Sequence, residues 1–257
     1  MTTTTTTTMM TKRPASHTLR ALWRDDSGTA LTEMAFITPV LLTLGVYGLE
    51  TAMLAITHMK VGQAAIRIAD DASRIGAASG LEEEKIYESD IVDLLVGSDL
   101  QAGAGIDLFE HGRVVISSQE VDPDDSSGNQ QYIHWQRCMG KRKYDSQYGG
   151  EGTGKGDITF AGMGPPGEEV LAMEGDSVIF VEISYEYQPL MTDAFLGNRE
   201  IVASSSFTVR DDRDLSGIYP NAAGSSTQPA TCDRYGRFRS GDPSTGVQGG
   251  WEWEWED

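Results

Sequence analysis

The fold of this chain is set by the stretch Ser27-Gly28-Thr29-Ala30-Leu31-Thr32-Glu33-Met34-Ala35-Phe36, which leads into an apolar run from Met34 to Ile56. The stretch places the carboxylate of Glu33 at the edge of the apolar run, five residues after the small residue Gly28. An ionisable group at the edge of a membrane segment is costly and is usually retained for a function. A small residue at a fixed distance from it is a candidate cleavage point. The stretch therefore predicts a protein that is addressed to a membrane and processed there, rather than an enzyme with a pocket.

The apolar run is long enough to span a membrane. Its 23 residues would measure about 34 Å as an α-helix, against roughly 30 Å for the hydrocarbon core. A cleaved secretory signal has a shorter apolar region with a small-residue site on its far side, whereas this run continues into Val61–Ser79 without an Ala-x-Ala break. We therefore predict a transmembrane helix over 29–58. For Glu50, near the far end, two interpretations stay open: an interfacial carboxylate without a partner, or a contact with a donor of a partner chain.

The charge of the chain is strongly and unevenly acidic. The net charge is −19, but residues 1–28 carry four basic and two acidic side chains and sum to +2, so the remainder carries −21. A domain this acidic repels phosphate backbones, which argues against nucleic-acid binding. Basic residues flank the apolar run on both sides, so the positive-inside rule alone barely decides its orientation.

The two cysteines, Cys138 and Cys232, both lie well beyond the apolar run. If that part of the chain is exported, a single disulfide that closes a long loop is expected between them. The cysteines and the acidic, glycine-rich composition favour a C-terminal part that lies outside the cytoplasm.

Helical patterns come first along the chain. Residues 1–28 form a basic leader that is predicted to be disordered and to be cleaved off. Its first ten residues are mostly threonine, and the start is Met1, Met9 or Met10. Beyond the membrane helix, small and apolar residues recur in steps of four and three, which predicts that the helix continues to about Gly80. These residues are Val61, Ala65, Ile68, Ala72, Ile75 and Ser79. A second helix is predicted over Leu81–Val96, so that residues 59–98 are assigned to the helical extension and this second helix.

Strand patterns follow, and they predict a β-rich domain over 99–215. The four predicted strands are 113–121, 131–138, 176–188 and 201–210. The third strand alternates between an apolar face and a face that turns acidic, as expected of an antiparallel sheet with one wet side. Residues 216–257 read as an irregular tail. The predicted fold class is α+β, with a long N-terminal helix packed against an antiparallel sheet of about four strands.

No set of residues in the sequence predicts catalysis. Gly149–Gly156 resembles a P-loop motif, but it ends in a glycine where the motif has a Ser or Thr that binds magnesium. We therefore predict a flexible surface loop at this position. Asp122–Asn129 resembles a calcium-binding loop, but its glycine comes one position late and it lacks the closing glutamate. We therefore expect an ordinary acidic turn, with weak calcium binding as the open alternative. The four histidines are scattered and no Cys-x2-Cys pair exists, which gives a zinc site little support. We therefore predict a protein that is not an enzyme and has no cofactor.

An apolar helix preceded by Gly-x4-Glu and a basic leader resembles the prepilin class, and within it the TadE-like pseudopilins of the tight-adherence (type IVc, Flp) pilus system. The resemblance is carried by Arg24-Asp25-Asp26-Ser27-Gly28-Thr29-Ala30-Leu31-Thr32-Glu33, Pro39-Val40-Leu41-Leu42 and Gly48-Leu49-Glu50. A looser resemblance over about half the chain is carried by Trp135-Gln136-Arg137-Cys138, Met163-Gly164-Pro165-Pro166-Gly167, Phe180-Val181-Glu182-Ile183-Ser184-Tyr185-Glu186-Tyr187-Gln188-Pro189 and Arg210-Asp211-Asp212-Arg213-Asp214-Leu215. Ser27 and Met34 depart from the family pattern, which commonly has a basic and an aromatic residue there.

The resemblance implies a pilin-like protein built on a helical spine, with a membrane-dwelling state. A prepilin peptidase would cut between Gly28 and Thr29. The freed amine of Thr29 would then pair with Glu33 of a neighbouring subunit, because each charge alone is costly in an apolar bundle. Glu50 occupies the family's second glutamate position and is assigned to assembly. The implied partners are the peptidase, other pilins or pseudopilins and inner-membrane assembly proteins, and the implied location is the inner membrane, single-pass, with a cytoplasmic N-terminus and a periplasmic or extracellular C-terminal domain.

The sequence is compatible with two functions. The leading one is structural and non-catalytic: a TadE-like pilus assembly protein that supports biogenesis of a tight-adherence pilus. The alternative is a binding module, permanently anchored in the membrane, that recognises an envelope component or glycan in the periplasm. For the alternative, the sheet domain or the Trp251–Asp257 tail would supply the recognition surface, although a floppy or locally packed tail is the preferred interpretation of that segment.

Overall fold

The structure is a computed structural model, and it describes residues 27–76, 85–102, 105–126, 128–190, 199–209, 213–221 and 227–237. Within these ranges the chain forms three helices and four strands: α1 (Ser27–Ala72), α2 (Glu88–Ala102), α3 (Leu108–His111), β1 (Gly112–Val121), β2 (Gln131–Met139), β3 (Val178–Glu186) and β4 (Glu200–Thr208). This arrangement confirms the predicted α+β class. The predicted leader before Ser27 and the Trp251–Asp257 tail lie outside the described residues.

The chain divides into two compact units, the first of which ends at Leu49. Its described part is the N-terminal portion of α1, where nearly every side chain is exposed. Large apolar side chains make up much of this surface: Leu31, Met34, Phe36, Ile37, Leu41 and Leu44 are all more than half exposed. By length and composition α1 could cross a membrane, and it is the one helix in the described part of the chain that could. The exposed portion, residues 28–49, measures about 33 Å at the helical rise, close to the hydrocarbon thickness.

The second unit begins at Glu50 and holds the hydrophobic core. The C-terminal portion of α1 belongs to this core through the predicted helical seam, whose buried members are Val61, Ala65, Ile68 and Ala72. Burial starts at Glu50, inside the segment 29–58 that the sequence assigns to the membrane helix. The helix ends at Ala72, before the predicted end near Gly80, and residues 77–80 lie outside the described part.

The second helix begins later than predicted, at Glu88 rather than Leu81. Residues 81–84 are not described, but Lys85 and Ile86 are not helical. The backbone N–H of Tyr87 donates to Oδ2 of Asp90 at 2.9 Å, which satisfies a donor at the helix start. The N–H of Glu88 donates to the carbonyl of Tyr219 at 3.1 Å. The start of α2 is therefore fixed partly by a segment about 130 residues away in sequence, and the local charge pattern does not reveal it.

The four strands form one antiparallel sheet in the order β2-β1-β3-β4. Each predicted strand is confirmed, with its ends within two residues of the prediction. One face of the sheet packs against α1 and α2 through the main core, to which Ile116, Val181 and Ile183 contribute. The strands could be predicted because their apolar and polar residues alternate with a period of two, a pattern that is visible within each segment of sequence.

The predicted wet face of the sheet is wrong, because both faces of β1 and β3 are buried. A second, smaller core of Ile133, Met163 and Phe180 covers the face away from the helices. The register of β1 and β2 shifts between Ser118, which pairs with Trp135, and Gln119, which pairs with Ile133. Trp135 lies in the main core and Ile133 in the second core. The sequence predicts Ile133 and Trp135 on one side. The bulge breaks that alternation and places them on opposite faces.

Candidate functional site

The predicted processing residues lie in the first turns of α1. Gly28 is exposed, and a side chain at its position would meet no other atom within 4 Å. Thr32 donates its hydroxyl to the carbonyl of Thr29 at 2.8 Å, inside the same turn. Glu33 is exposed, four residues after Thr29 and therefore on the same side of the helix. Its carboxylate forms no hydrogen bond or ion pair with any residue that the structure describes, so it is open to a partner.

Glu50 is buried, with 1% of its surface exposed, and its partners come from its own chain. Its Oε1 accepts hydrogen bonds from the hydroxyl of Tyr187 at 2.7 Å and from the N–H of Leu190 at 3.1 Å. Burial, followed by this hydrogen bond, raises the pKa of Tyr187 to about 12. Neither of the two interpretations drawn from the sequence anticipates this contact, in which Glu50 holds α1 to the segment that follows β3. The proposed assembly role of Glu50 stays a prediction.

The predicted disulfide between Cys138 and Cys232 is present, with the sulfur atoms 2.05 Å apart. Cys138 lies on β2, and its N–H donates to the carbonyl of Ala230 at 2.7 Å. Gly140 and Gly236 pair through their backbones a few residues further on. The segment 230–236 is therefore attached to the sheet edge by main-chain hydrogen bonds as well as by the disulfide.

Arg113 is a buried charge that also holds this segment. Its side chain is fully buried on β1, and its guanidinium donates to the carbonyls of Cys232 at 2.5 Å, Arg234 at 3.1 Å and Gly140 at 3.2 Å. The guanidinium lies over the ring of Tyr235, 4.1 Å from the ring centre. Burial lowers the pKa of Arg113. A buried arginine is costly, and its bonds to three carbonyls from two separate segments offset part of that cost.

Glu182, on β3, is a buried charge that holds the loop after β2 by hydrogen bonds. It is buried at 1% exposure, and it accepts hydrogen bonds from the hydroxyl of Tyr144 at 3.0 Å, the N–H of Gln147 at 3.2 Å and the hydroxyl of Ser146. Burial and the nearby carboxylate raise the pKa of Tyr144. The sequence predicts Glu182 on a wet face of the sheet, whereas the structure buries it under the loop that follows β2. The one available signal was an acid in the middle of an otherwise strongly apolar strand.

An open cavity of about 430 Å³ lies between these two anchored segments. It is lined by Gln136, Cys138, Tyr144, Asp145, Ser146, Gly149, Gly150, Cys232, Asp233 and Tyr235. It contains the disulfide that the sequence predicts, but the cavity itself leaves no pattern in the sequence, because its residues come from three separate parts of the chain.

The two motif-like loops have structural roles in the described part of the chain. In the P-loop-like segment, Ile133 donates its N–H to the carbonyl of Thr153 at 2.8 Å, and Gly152 donates to Ile133 at 2.7 Å, so this loop pairs with the outer edge of β2. Turns follow it, not a helix. In the acidic segment, Asp122 accepts a hydrogen bond from the N–H of Asp124 at 3.0 Å, as in an ordinary turn, and one from the N–H of Gly156 at 2.9 Å, which joins this turn to the glycine-rich loop. Among the described residues, no three His, Cys, Asp or Glu side chains form a metal-binding group.

Comparison with protein-family models, with curated proteins and with solved structures finds no match to this chain.

Proposed function

We propose that this chain is a TadE-like minor pilin or pseudopilin that supports the assembly of a tight-adherence pilus. The observation that carries the proposal is the start of α1, where Gly28 and Glu33 are both exposed at the head of an exposed apolar helix. A peptidase that cuts after Gly28 needs an accessible bond, and a neighbouring amine needs a carboxylate without a competing partner. Both requirements are met within the described residues.

The proposal assigns the chain to the inner membrane as a single-pass protein with a cytoplasmic N-terminus. The domain after the span would face the periplasm, an oxidising compartment in which a disulfide such as Cys138–Cys232 persists. Its partners would be a prepilin peptidase, other pilins or pseudopilins and inner-membrane assembly proteins. The role is structural, because the exposed carboxylate would act as a charge partner in assembly, not as a catalytic acid.

Processing is tested by measuring the mass of the mature N-terminus in cells with and without a prepilin peptidase. The expected result is a chain that begins at Thr29 only where the peptidase is present, because the cut releases the residues up to Gly28. A chain that keeps its leader in both strains would overturn the processing step.

The assembly role is tested with Glu33→Ala. The substitution should leave membrane insertion unchanged, because it removes a charge from the helix, and should reduce pilus output or incorporation at least tenfold if about 1.4 kcal/mol of pairing energy is lost. Thr32→Ala is the matched control, since Thr32 is the exposed neighbour and bonds only within its own turn. Equal piliation in the wild type and in Glu33→Ala would remove the register role of this carboxylate.

A further inference from the structure

The cavity beside the disulfide is built by two buried charges of opposite sign. Glu182 fixes the wall that carries Tyr144 and Ser146, and Arg113 fixes the wall that carries Cys232 and Tyr235. Both anchoring residues are at most 1% exposed, so each wall is held from inside the sheet. A concave space whose two sides are independently fixed is preorganised, which reduces the entropy lost when a ligand binds.

The polar groups of the lining are mostly acceptors. The side-chain amide of Gln136 donates hydrogen bonds to the hydroxyl of Ser117 at 3.0 Å and to the carbonyl of Gly149 at 3.1 Å. The hydroxyls of Tyr144 and Ser146 both donate to Glu182.

The carboxylate of Asp145 is exposed and forms no hydrogen bond with any residue that the structure describes. Asp233 also lines the cavity, and its carboxylate accepts a hydrogen bond from the side chain of Thr231, which lowers its pKa. Among the described residues, no lysine or arginine belongs to the cavity lining, but the buried guanidinium of Arg113 lies 4.1 Å from the centre of the Tyr235 ring and attracts both carboxylates. The lining therefore has one carboxylate that accepts no hydrogen bond, that of Asp145, and few side-chain donors that are not already in use.

This imbalance selects the chemistry of the ligand. A guanidinium has five donors and no acceptor, can pair with a carboxylate through two parallel hydrogen bonds, and stacks on aromatic rings. The cavity lining includes the carboxylates of Asp145 and Asp233 and the rings of Tyr144 and Tyr235. A carbohydrate is a poorer match, because its hydroxyl oxygens also need donors from the protein, and the donors of Gln136, Tyr144 and Ser146 are already in use.

We propose that this cavity binds an arginine side chain of a partner polypeptide. The volume, about 430 Å³, holds the guanidinium and its aliphatic stem and leaves room for adjoining backbone. The net charge of −21 after residue 28 attracts basic partners over long range. The proposal does not depend on cleavage after Gly28 or on pilus assembly, so it can fail or succeed separately from them.

The test uses the full-length oxidised protein in a non-ionic detergent at physiological salt. The probe is a fluorescein-labelled Gly-Gly-Arg-Gly-Gly peptide, compared by fluorescence anisotropy with the same peptide carrying citrulline, which is neutral and of similar shape. The arginine peptide should bind at least about tenfold more tightly. Unlabelled peptide should displace the probe at lower concentrations than free L-arginine does. Equal binding of the two labelled peptides would overturn the guanidinium site, and equal displacement by free arginine would overturn the polypeptide source.

Three variants separate this site from general acidity. Asp145→Asn should weaken binding of the arginine peptide about fivefold or more, whereas Asp93→Asn, which removes an exposed carboxylate from α2, should change it less than about twofold. Gly150→Trp should weaken binding, because Gly150 lines the cavity and a side chain at this exposed position meets no atom within 4 Å, so an indole ring can crowd the cavity without a clash. Undiminished binding in Asp145→Asn or in Gly150→Trp would overturn the site.

Discussion

His134 pairs with a buried carboxylate at the bulge of β2. Its Nδ1 lies 2.8 Å from Oε2 of Glu120, which is 5% exposed and also accepts the hydroxyl of Ser118 at 2.8 Å. The hydrogen bond to Glu120 raises the pKa of His134 above its ordinary value of 6.5, although burial opposes the shift. The histidine is half-buried, so the pair is expected to contribute modestly to stability.

This raised pKa predicts how stability depends on pH. The contribution of the pair is fully present below 6.5, the ordinary pKa of His134, and is lost as the pH rises through the higher value of the folded state. We therefore expect the urea midpoint of the wild type to exceed that of His134→Gln by more at about pH 5.5 than at about pH 8.5. Tryptophan fluorescence is a suitable measurement, since Trp135 is buried. His58→Gln, at an exposed position on α1, is the control and should show no such pH dependence.

Residues whose roles depend on local sequence were predicted, and residues whose roles depend on distant partners were not. Gly28 and Glu33 stand out because their spacing to the apolar run is visible in the chain itself. Glu182 and Arg137 do not, since their partners Tyr144 and Glu88 are 38 and 49 residues away. A periodic pattern predicts which face a residue occupies. It does not show which loop will cover that face.

At the scale of elements, the strands were predicted well and the connections poorly. The alternation of β3 gives its bounds, but nothing local indicates that residues 140–175 fold over its acidic face. The disulfide is the long-range link that the sequence did predict, because only two cysteines are available to pair. It joins β2 to a segment 94 residues away.

Removing this disulfide tests how the C-terminal segment is held. We expect Cys138→Ser with Cys232→Ser to lower the free energy of unfolding by about 2–4 kcal/mol but to leave the segment in place. Arg113 and the backbone pairing of Gly140 with Gly236 hold it independently of the sulfur atoms.

The measurement is hydrogen exchange combined with urea unfolding. The amide of Gly236, which donates to Gly140 at 3.1 Å, should stay protected in the double variant. Chemical reduction of the wild type should give the same exchange pattern. Fast exchange at Gly236 in both samples would show that the disulfide alone holds the segment, contrary to the role assigned to Arg113.

At the scale of the whole molecule, the division at Leu49 separates two kinds of surface. In the first unit the large apolar side chains of α1 are exposed, whereas in the second unit the same helix is part of the core. A protein cannot keep so much apolar surface in water, and the hydrophobic effect drives it into lipid or against a partner. The sequence predicts a membrane helix at this position, but the change from exposed to buried side chains at Glu50 appears only when the chain is folded.

A chain that begins at Glu50 should therefore fold as a soluble protein. It keeps Glu50 with its partner Tyr187, the seam of α1 and both cysteines, while it loses the exposed apolar portion. We expect it to remain in the supernatant after ultracentrifugation, with the circular dichroism of an α+β domain and no free thiol, whereas the full chain sediments with membranes. A chain that begins at Ser73 is the matched control: it lacks Val61, Ala65 and Ile68 and should aggregate, because the sheet then loses the helix that covers its main core. Membrane association of the chain that begins at Glu50 would mean that membrane binding does not depend on residues 28–49.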